Sequence, residues 1–298
     1  MPENIRFAPQ AHLMSREEML QIATIFVEEF GIRKIRFTGG EPLLRKDAGP
    51  IMQDIAALGT KLAITTNAIL LHQYLDQFAE MGLQSLNISL DTLKEDRFLE
   101  ITRRPEFQQV MDNIQLALDR GFRVKINVVA MQGFNEDELV DFVELGRDKD
   151  VHIRFIEFMP FDGNQWNWEK VLPYGEMLNR IGEEFPFLKL EDAPHSTAKA
   201  YQVNGFKGTF SVISTITDSF CTSCNRIRLT ADGKLRNCLF SAEETDLLST
   251  LRAGGDIRPL IRESIARKHE KLGGLPEFQD EAGLLDALSN RAMVKIGG

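Results

Sequence analysis

Residues 124–158, VKINVVAMQGFNEDELVDFVELGRDKDVHIRFIEF, read as strand, helix, strand. Val124, Ile126 and Val128 alternate with Lys125 and Asn127, the period of two that sends successive side chains to opposite faces of a strand. Helical spacing runs over 135–147. The alternation returns over 152–158, with Arg154 and Ile156 on one side, until Glu157 breaks it. Two strands joined by a helix of this length form a βαβ unit and lie parallel in one sheet.

The same unit repeats upstream. Strands are predicted over 33–38, 61–66 and 85–90, with helices between them and a first helix that opens on a Ser15/Glu18 capping box and stops at Gly31. Five strands separated by helices predict an α/β fold with a parallel sheet. Past Met159 the pattern changes. Residues 161–177, FDGNQWNWEKVLPYGEM, read as an irregular excursion whose two tryptophans pack. A helix near 175–185, strand-like stretches at 200–203 and 209–213, and basic-faced helices at 247–251 and 257–271 follow. The division expected is 1–160 and 161–298.

A parallel sheet covered on both sides should be apolar almost throughout. These strands have one apolar and one polar face: Ile35 and Phe37 oppose Lys34, Arg36 and Thr38, while Leu86, Ile88 and Leu90 oppose Asn87, Ser89 and Asp91. That leaves a half-solvated sheet or a barrel with a wet lumen. Lys34, Arg36, Lys125 and Arg154 on an interior face must be hydrated or neutralised, because an unpaired buried charge costs several kcal/mol. A polyanionic ligand is the simplest solution.

The chain of 298 residues with 43% hydrophobic content can bury a large core, and its net charge of −9 argues against a nucleic-acid surface without forbidding a basic pocket. No apolar run reaches membrane-spanning length, and MPENIRFAPQ at the start has no signal-peptide core, so a cytoplasmic protein without a membrane partner is expected.

All three cysteines fall in residues 220–240, FCTSCNRIRLTADGKLRNCLF, spaced C-x2-C-x13-C, with a hairpin turn expected at 231–233. Cys221, Cys224 and Cys238 suit a three-thiolate metal site in a reducing compartment; a zinc knuckle, a redox pair and three unrelated buried cysteines are the alternatives. Zinc wants a fourth Cys or His, and His195 and His269 are distant in sequence. An iron–sulfur cluster on three cysteines leaves one iron open. Arg226 and Arg228, alternating on an expected strand, favour that reading, since two guanidiniums beside an open metal position suit an anionic ligand with a second functional end.

These residues resemble one family: GTP 3',8-cyclase, of the radical S-adenosylmethionine superfamily. KIRFTGGEPLLRKD, TTN, NISLD, KINVV, RFIEFMP, the cysteine segment and the terminal IGG occur in the family's order and spacing. The resemblance implies an incomplete TIM-like (βα)6 parallel barrel with a C-terminal α+β extension over its opening. It implies that Cys221, Cys224 and Cys238 hold a 4Fe-4S cluster whose open iron meets guanine. Lys34, Arg36, Thr65, Lys125, Arg154, Arg226 and Arg228 would bind GTP, with Arg226, Arg228 and Arg154 also serving catalysis. Gly39, Gly40, Glu41, Ser89 and Met159 would line the S-adenosylmethionine site, and Gly297-Gly298 would be the tail that reaches the active site. The activity implied is cyclisation of GTP to (8S)-3',8-cyclo-7,8-dihydroguanosine 5'-triphosphate, the first step of molybdenum cofactor biosynthesis. A cyclic pyranopterin monophosphate synthase would act next, and a homodimer or a monomer is expected.

The family's N-terminal cluster motif, C-x3-C-x2-C, ends directly before Met-Pro-Glu, and this sequence opens at Met1-Pro2-Glu3. The first barrel strand and the ligands of that cluster therefore lie outside the sequence in hand. A start placed at an internal methionine, or a cut chain, is expected rather than a degenerate copy. The other functions weighed are a non-catalytic homologue that binds GTP through one cluster, and a zinc-stabilised structural protein.

Overall fold

The computed structural model describes residues 9–218, 220–274 and 293–296, so the Gly297-Gly298 tail lies outside the described residues. Chain contacts define two units: 63–159 with 166–224, and residues up to 62 with 160–165 and those from 225 on. In chain order the elements are α1 (Arg16–Glu28), β1 (Lys34–Phe37), α2 (Ala48–Ala56), β2 (Lys61–Thr66), α3 (Leu75–Glu80), β3 (Ser85–Ser89), α4 (Glu95–Thr102), α5 (Phe107–Asp119), β4 (Arg123–Ala130), α6 (Leu139–Glu144) and β5 (Val151–Glu157). There follow α7 (Tyr174–Glu184), β6 (Phe187–Lys189), β7 (Lys199–Val203), β8 (Thr209–Ile213), β9 (Arg228–Leu229), β10 (Lys234–Arg236), β11 (Thr245–Asp246), α8 (Leu247–Arg252) and α9 (Arg258–Ala266).

In the first unit the sheet order is β2-β3-β4-β5-β8-β7-β6. Strands β2 to β5 and β8 run parallel, whereas β7 and β6 turn back antiparallel. The alternation read from residues 124–158 holds: Val124, Ile126, Val128, Val151, Ile153 and Phe155 are buried while Lys125, Asn127, His152 and Arg154 are half-buried. Helices cover the apolar face, with Val110, Ile114 and Ala117 of α5 buried and Phe142 of α6 meeting Phe155 edge-on at 6.3 Å. Truncating such a ring costs about 3–5 kcal/mol.

The helix expected over 135–147 is shorter than its spacing suggests. Asn135 has its carboxamide committed elsewhere, accepting from Met131 N at 2.8 Å and donating to Asp91 O and Val129 O at 2.7 and 2.9 Å. A side chain that bonds the backbone in this way offers an alternative to helix, and only Leu139–Glu144 continues as α6. The helix expected after Gly39-Gly40 likewise opens as a short 3-10 turn, Pro42–Leu44, before α2. The tryptophans pack as expected: Trp166 is buried, meets Trp168 at 5.2 Å and donates its ring N–H to Phe158 O at 2.8 Å.

In the second unit the capping box forms as predicted, Glu18 N donating to Ser15 Oγ at 3.2 Å and Ser15 N to the Glu18 carboxylate at 2.7 Å. The buried side of α1 (Ile22, Ile25, Phe26) joins Leu235, Leu247, Leu248, Ile257 and Ile261 in one apolar cluster. Strands β11-β10-β9 form a small antiparallel sheet, with Leu229 opposite Leu235 and Arg228 opposite Arg236. The expected turn closes it, Thr230 N donating to Lys234 O at 2.9 Å. Among the described residues no helix is long and apolar enough to cross a membrane.

Candidate functional site

On the polar face of the first unit, parallel register sets the side chains in rows. One row runs Thr65, Asn87, Lys125, His152, Thr209, and the next runs Ser89, Asn127, Arg154, Ser211. Two cations thus occupy adjacent rows on neighbouring strands. Arg154 reaches the carboxamide oxygens of Asn87 and Asn127, both at 3.4 Å, the long edge of hydrogen-bonding range. Asn87 is itself buried and donates to Ile64 O at 2.9 Å, which fixes its oxygen toward the arginine.

His152, opposite Lys125 and two residues before Arg154 on β5, was not singled out from sequence, although it has the same parity as Arg154. Its ring nitrogens lie 2.6 Å from Thr209 Oγ1 and 2.8 Å from Ser211 Oγ. Burial, and then the charges of Arg154 and Lys125, push its pKa down to about 3. A neutral imidazole has one N–H, so one hydroxyl accepts and the other donates. The neutral ring adds no third charge beside the two cations.

The signal for another missed residue was the break in alternation at Glu157. Its fully buried carboxylate accepts from Tyr174 N at 3.2 Å, Ile216 N at 2.8 Å, Thr217 N at 3.1 Å and the Thr217 hydroxyl. Those bonds fix residues 216–217 a few positions ahead of the first two cysteines. Cys221 and Cys224 share one 3-10 turn, Cys224 N donating to Cys221 O at 3.0 Å, and the His195 ring holds Ser223 O at 2.9 Å. Of the residues expected at the S-adenosylmethionine site, Ser89 is exposed at the end of β3 and Met159 is half-buried just past β5.

The remaining predicted residues belong to the second unit. Lys34 and Arg36 are the open positions of β1, alternating with half-buried Ile35 and Phe37. Desolvation, followed by repulsion from Arg226, pulls the Arg36 pKa below its ordinary value, so these two guanidiniums sense one another. β9 spans only Arg228–Leu229, so strand parity does not extend to Arg226, contrary to the sequence reading; Arg226 is exposed and Arg228 half-buried. Gly39 adopts φ +138°, which residues with side chains avoid, and Glu41 caps the following turn by accepting from Leu43 N at 3.0 Å.

Cys238 follows β10. Beside it Arg236 is buried against Glu244 at 2.8 Å, a pair with no signal in the sequence pattern. None of the three cysteines is in a disulfide and all are half-buried, a soft donor set that fits iron–sulfur or zinc chemistry. Among the described residues no three Cys, His, Asp or Glu side chains converge on one point as a single metal ion requires.

The Radical SAM superfamily model matches residues 3–146, and Molybdenum Cofactor Synthesis C matches residues 151–273. The mitochondrial GTP 3',8-cyclase of Arabidopsis thaliana is 44% identical over 303 residues, covering 99% of this chain and 76% of the relative. The GTP 3',8-cyclase of Listeria welshimeri is 38% identical over 307 residues, covering the whole of this chain and 91% of the relative. Human molybdenum cofactor biosynthesis protein 1 is 42% identical, and this chain spans 46% of its length. Among solved structures, Streptococcus suis SuiB bound to S-adenosylmethionine superposes with a TM-score of 0.61 at 15% identity, over 97% of this chain and 72% of that one, which shows a shared fold.

Proposed function

This chain belongs to the GTP 3',8-cyclase family of the radical S-adenosylmethionine superfamily, and on that premise we propose that it cyclises GTP to (8S)-3',8-cyclo-7,8-dihydroguanosine 5'-triphosphate in molybdenum cofactor biosynthesis. The observation that carries the proposal is the polar face of a parallel sheet, where Lys125 and Arg154 occupy neighbouring strands beside a neutral His152. Parallel sheets rarely carry cations there, and a triphosphate is an anion that suits such a face.

Lys34, Arg36, Thr65, Lys125 and Arg154 bind the polyphosphate end, and Arg226 and Arg228 bind the nucleotide. The thiolates of Cys221, Cys224 and Cys238 hold a 4Fe-4S cluster, a reading supported by their spacing and by the family. Gly39, Gly40, Glu41, Ser89 and Met159 receive S-adenosylmethionine. Together with a reduced cluster, that cofactor supplies a one-electron acceptor for a hydrogen atom. Around it the chain must fix the nucleotide and keep water out, because so reactive an acceptor takes the nearest hydrogen; arginines at separated positions restrict the ribose in that way. Residues 1–160 serve the cofactor and phosphate end and 161–298 the second cluster. The protein works in the cytoplasm as a homodimer or monomer and passes its product to a cyclic pyranopterin monophosphate synthase.

A second reading is a homologue that binds GTP without turnover. The test is anaerobic reconstitution followed by equilibrium dialysis with GTP and by assay with S-adenosylmethionine and a reductant. About four irons per chain and a brown absorption band are expected. Arg226→Ala or Arg228→Ala should weaken GTP binding about tenfold or more at unchanged iron, and Cys238→Ser should lose the iron. Cyclised product supports the first reading, and bound but unchanged GTP supports the second. A colourless protein with stoichiometric zinc sinks both.

A further inference from the structure

His152 is bracketed by two hydroxyls of β8, with Nδ1 2.6 Å from Thr209 Oγ1 and Nε2 2.8 Å from Ser211 Oγ. All three side chains lie on the polar face of the first unit, and His152 stands opposite Thr209 in the row that begins at Thr65 and includes Lys125. The two hydroxyl residues differ in burial. Ser211 is 0% exposed, whereas Thr209, the first residue of β8, is half-buried.

That difference selects a tautomer. The ring is neutral and carries one N–H, and each hydroxyl has one hydrogen to give. A hydroxyl that donates to the ring has used its hydrogen, while one that accepts from the ring keeps its hydrogen for another acceptor. With the ring hydrogen on Nε2, the spare hydrogen would belong to Ser211, which is buried and whose hydroxyl has no hydrogen-bond partner but the ring among the described residues. A buried O–H that has lost water and gained no acceptor is costly. With the ring hydrogen on Nδ1 the cost disappears. Ser211 then donates to Nε2, Nδ1 donates to Thr209 Oγ1, and the spare hydrogen belongs to Thr209, the less buried of the two.

We propose that Thr209 is a further substrate-binding residue that donates its hydroxyl hydrogen to a phosphate oxygen of GTP, and that His152 is the positioning residue that turns this hydroxyl by donating to it from Nδ1. The proposal rests on the assignment of Thr65 and Lys125, in the same row, to the polyphosphate end. Thr209 stands two strands beyond Lys125, about 10 Å by strand spacing. A neutral donor recognises an anion by the direction of its O–H, so the role does not depend on the balance of charge among the cations. Each bond of the chain Ser211, His152, Thr209 fixes the sense of the next, and the chain ends on a donor.

The first measurement needs no nucleotide. In protein labelled with nitrogen-15 histidine, NMR near neutral pH tells which ring nitrogen carries the hydrogen, and the His152 signal is the one lost in His152→Gln. Nδ1–H is expected; Nε2–H overturns the proposal by moving the spare hydrogen to Ser211. The second measurement compares Thr209→Val, which removes the hydroxyl at nearly constant shape, with Thr209→Ser, which keeps it. In equilibrium dialysis of the reconstituted protein, Thr209→Val should raise the Kd for GTP about tenfold, the loss of one bond to a charged group, and should weaken competition by inorganic tripolyphosphate by the same factor. Thr209→Ser should recover most of that loss. A merely structural threonine would lower the melting temperature of Thr209→Val with both constants unmoved, which overturns the proposal. So does a loss confined to GTP, which places the contact on the nucleoside. Failure of the underlying assignment looks different, since the wild-type protein would then bind no GTP and the proposal would fall with it.

Discussion

Arg154 on the sheet of the first unit and Arg236 beside Cys238 in the second are both drawn out of bulk water, but into opposite surroundings. The Arg236 side chain is 1% exposed and meets Glu244, 14% exposed, together with main-chain carbonyls. Arg154 meets two amide oxygens at 3.4 Å, with Lys125 in the adjacent row and a histidine kept neutral beside them. A guanidinium bonded to a carboxylate of its own chain is architecture. Arg154 faces amide oxygens on a strand face that carries further cations, the surroundings proposed to receive an anion. Residue type alone does not separate the two roles.

The strongest way to break this contrast is Arg236→Met. It leaves Glu244 in a poorly hydrated site with Lys234 Nζ at 3.8 Å, and loss of the buried partner of such a pair costs up to about 3–5 kcal/mol. Denaturant unfolding should show that loss, and an unchanged midpoint would remove Arg236 from the architecture. Arg154→Met should do the reverse. Stability should stay within about 1 kcal/mol, since repulsion from Lys125 is relieved as amide contacts are lost, while GTP affinity drops about ten- to hundredfold in dialysis. Equal effects of the two substitutions on stability would erase the distinction.

His152 gives the smallest effect and the most specific. Its folded pKa of about 3 lies below the ordinary 6.5, so between those values the unfolded chain binds a proton that the folded chain refuses. Stability is then full above about pH 6.5 and falls as pH drops toward 3, with a slope of at most about 1.4 kcal/mol per pH unit from this one group. His152→Gln should flatten the profile in that window. A profile identical to wild type would mean that the ring is hydrated and is not held neutral by burial beside the two cations.

Much of the first unit was legible because period-two alternation is a local property. Lys125, Asn127 and Arg154 could be assigned to one face from their parity, and the registers then placed them in rows. Other features had no local signal. Ala68 is buried at φ +63°, a conformation that glycine would adopt more easily, held by Ala68 N donating to Thr66 Oγ1 at 3.1 Å and Ile69 N to Asn67 Oδ1 at 3.0 Å. Glu138, within the stretch expected to be helical, is fully buried and accepts from Thr92 Oγ1 and Leu93 N at 2.8 and 2.6 Å, with no local signal of its burial. Arg226 was grouped with Arg228 by strand parity, whereas β9 is too short to include it.

From sequence alone came the α/β class, the polar face, the grouping of the three cysteines and the family, because each depends on spacing along the chain. Only the tertiary structure decided which charges are neutralised internally. Arg236 finds Glu244 eight residues away, and Lys268 finds carbonyls 42 and 31 residues away. Counter-charges are set by proximity in space, and Coulomb attraction takes no account of the length of chain between its partners.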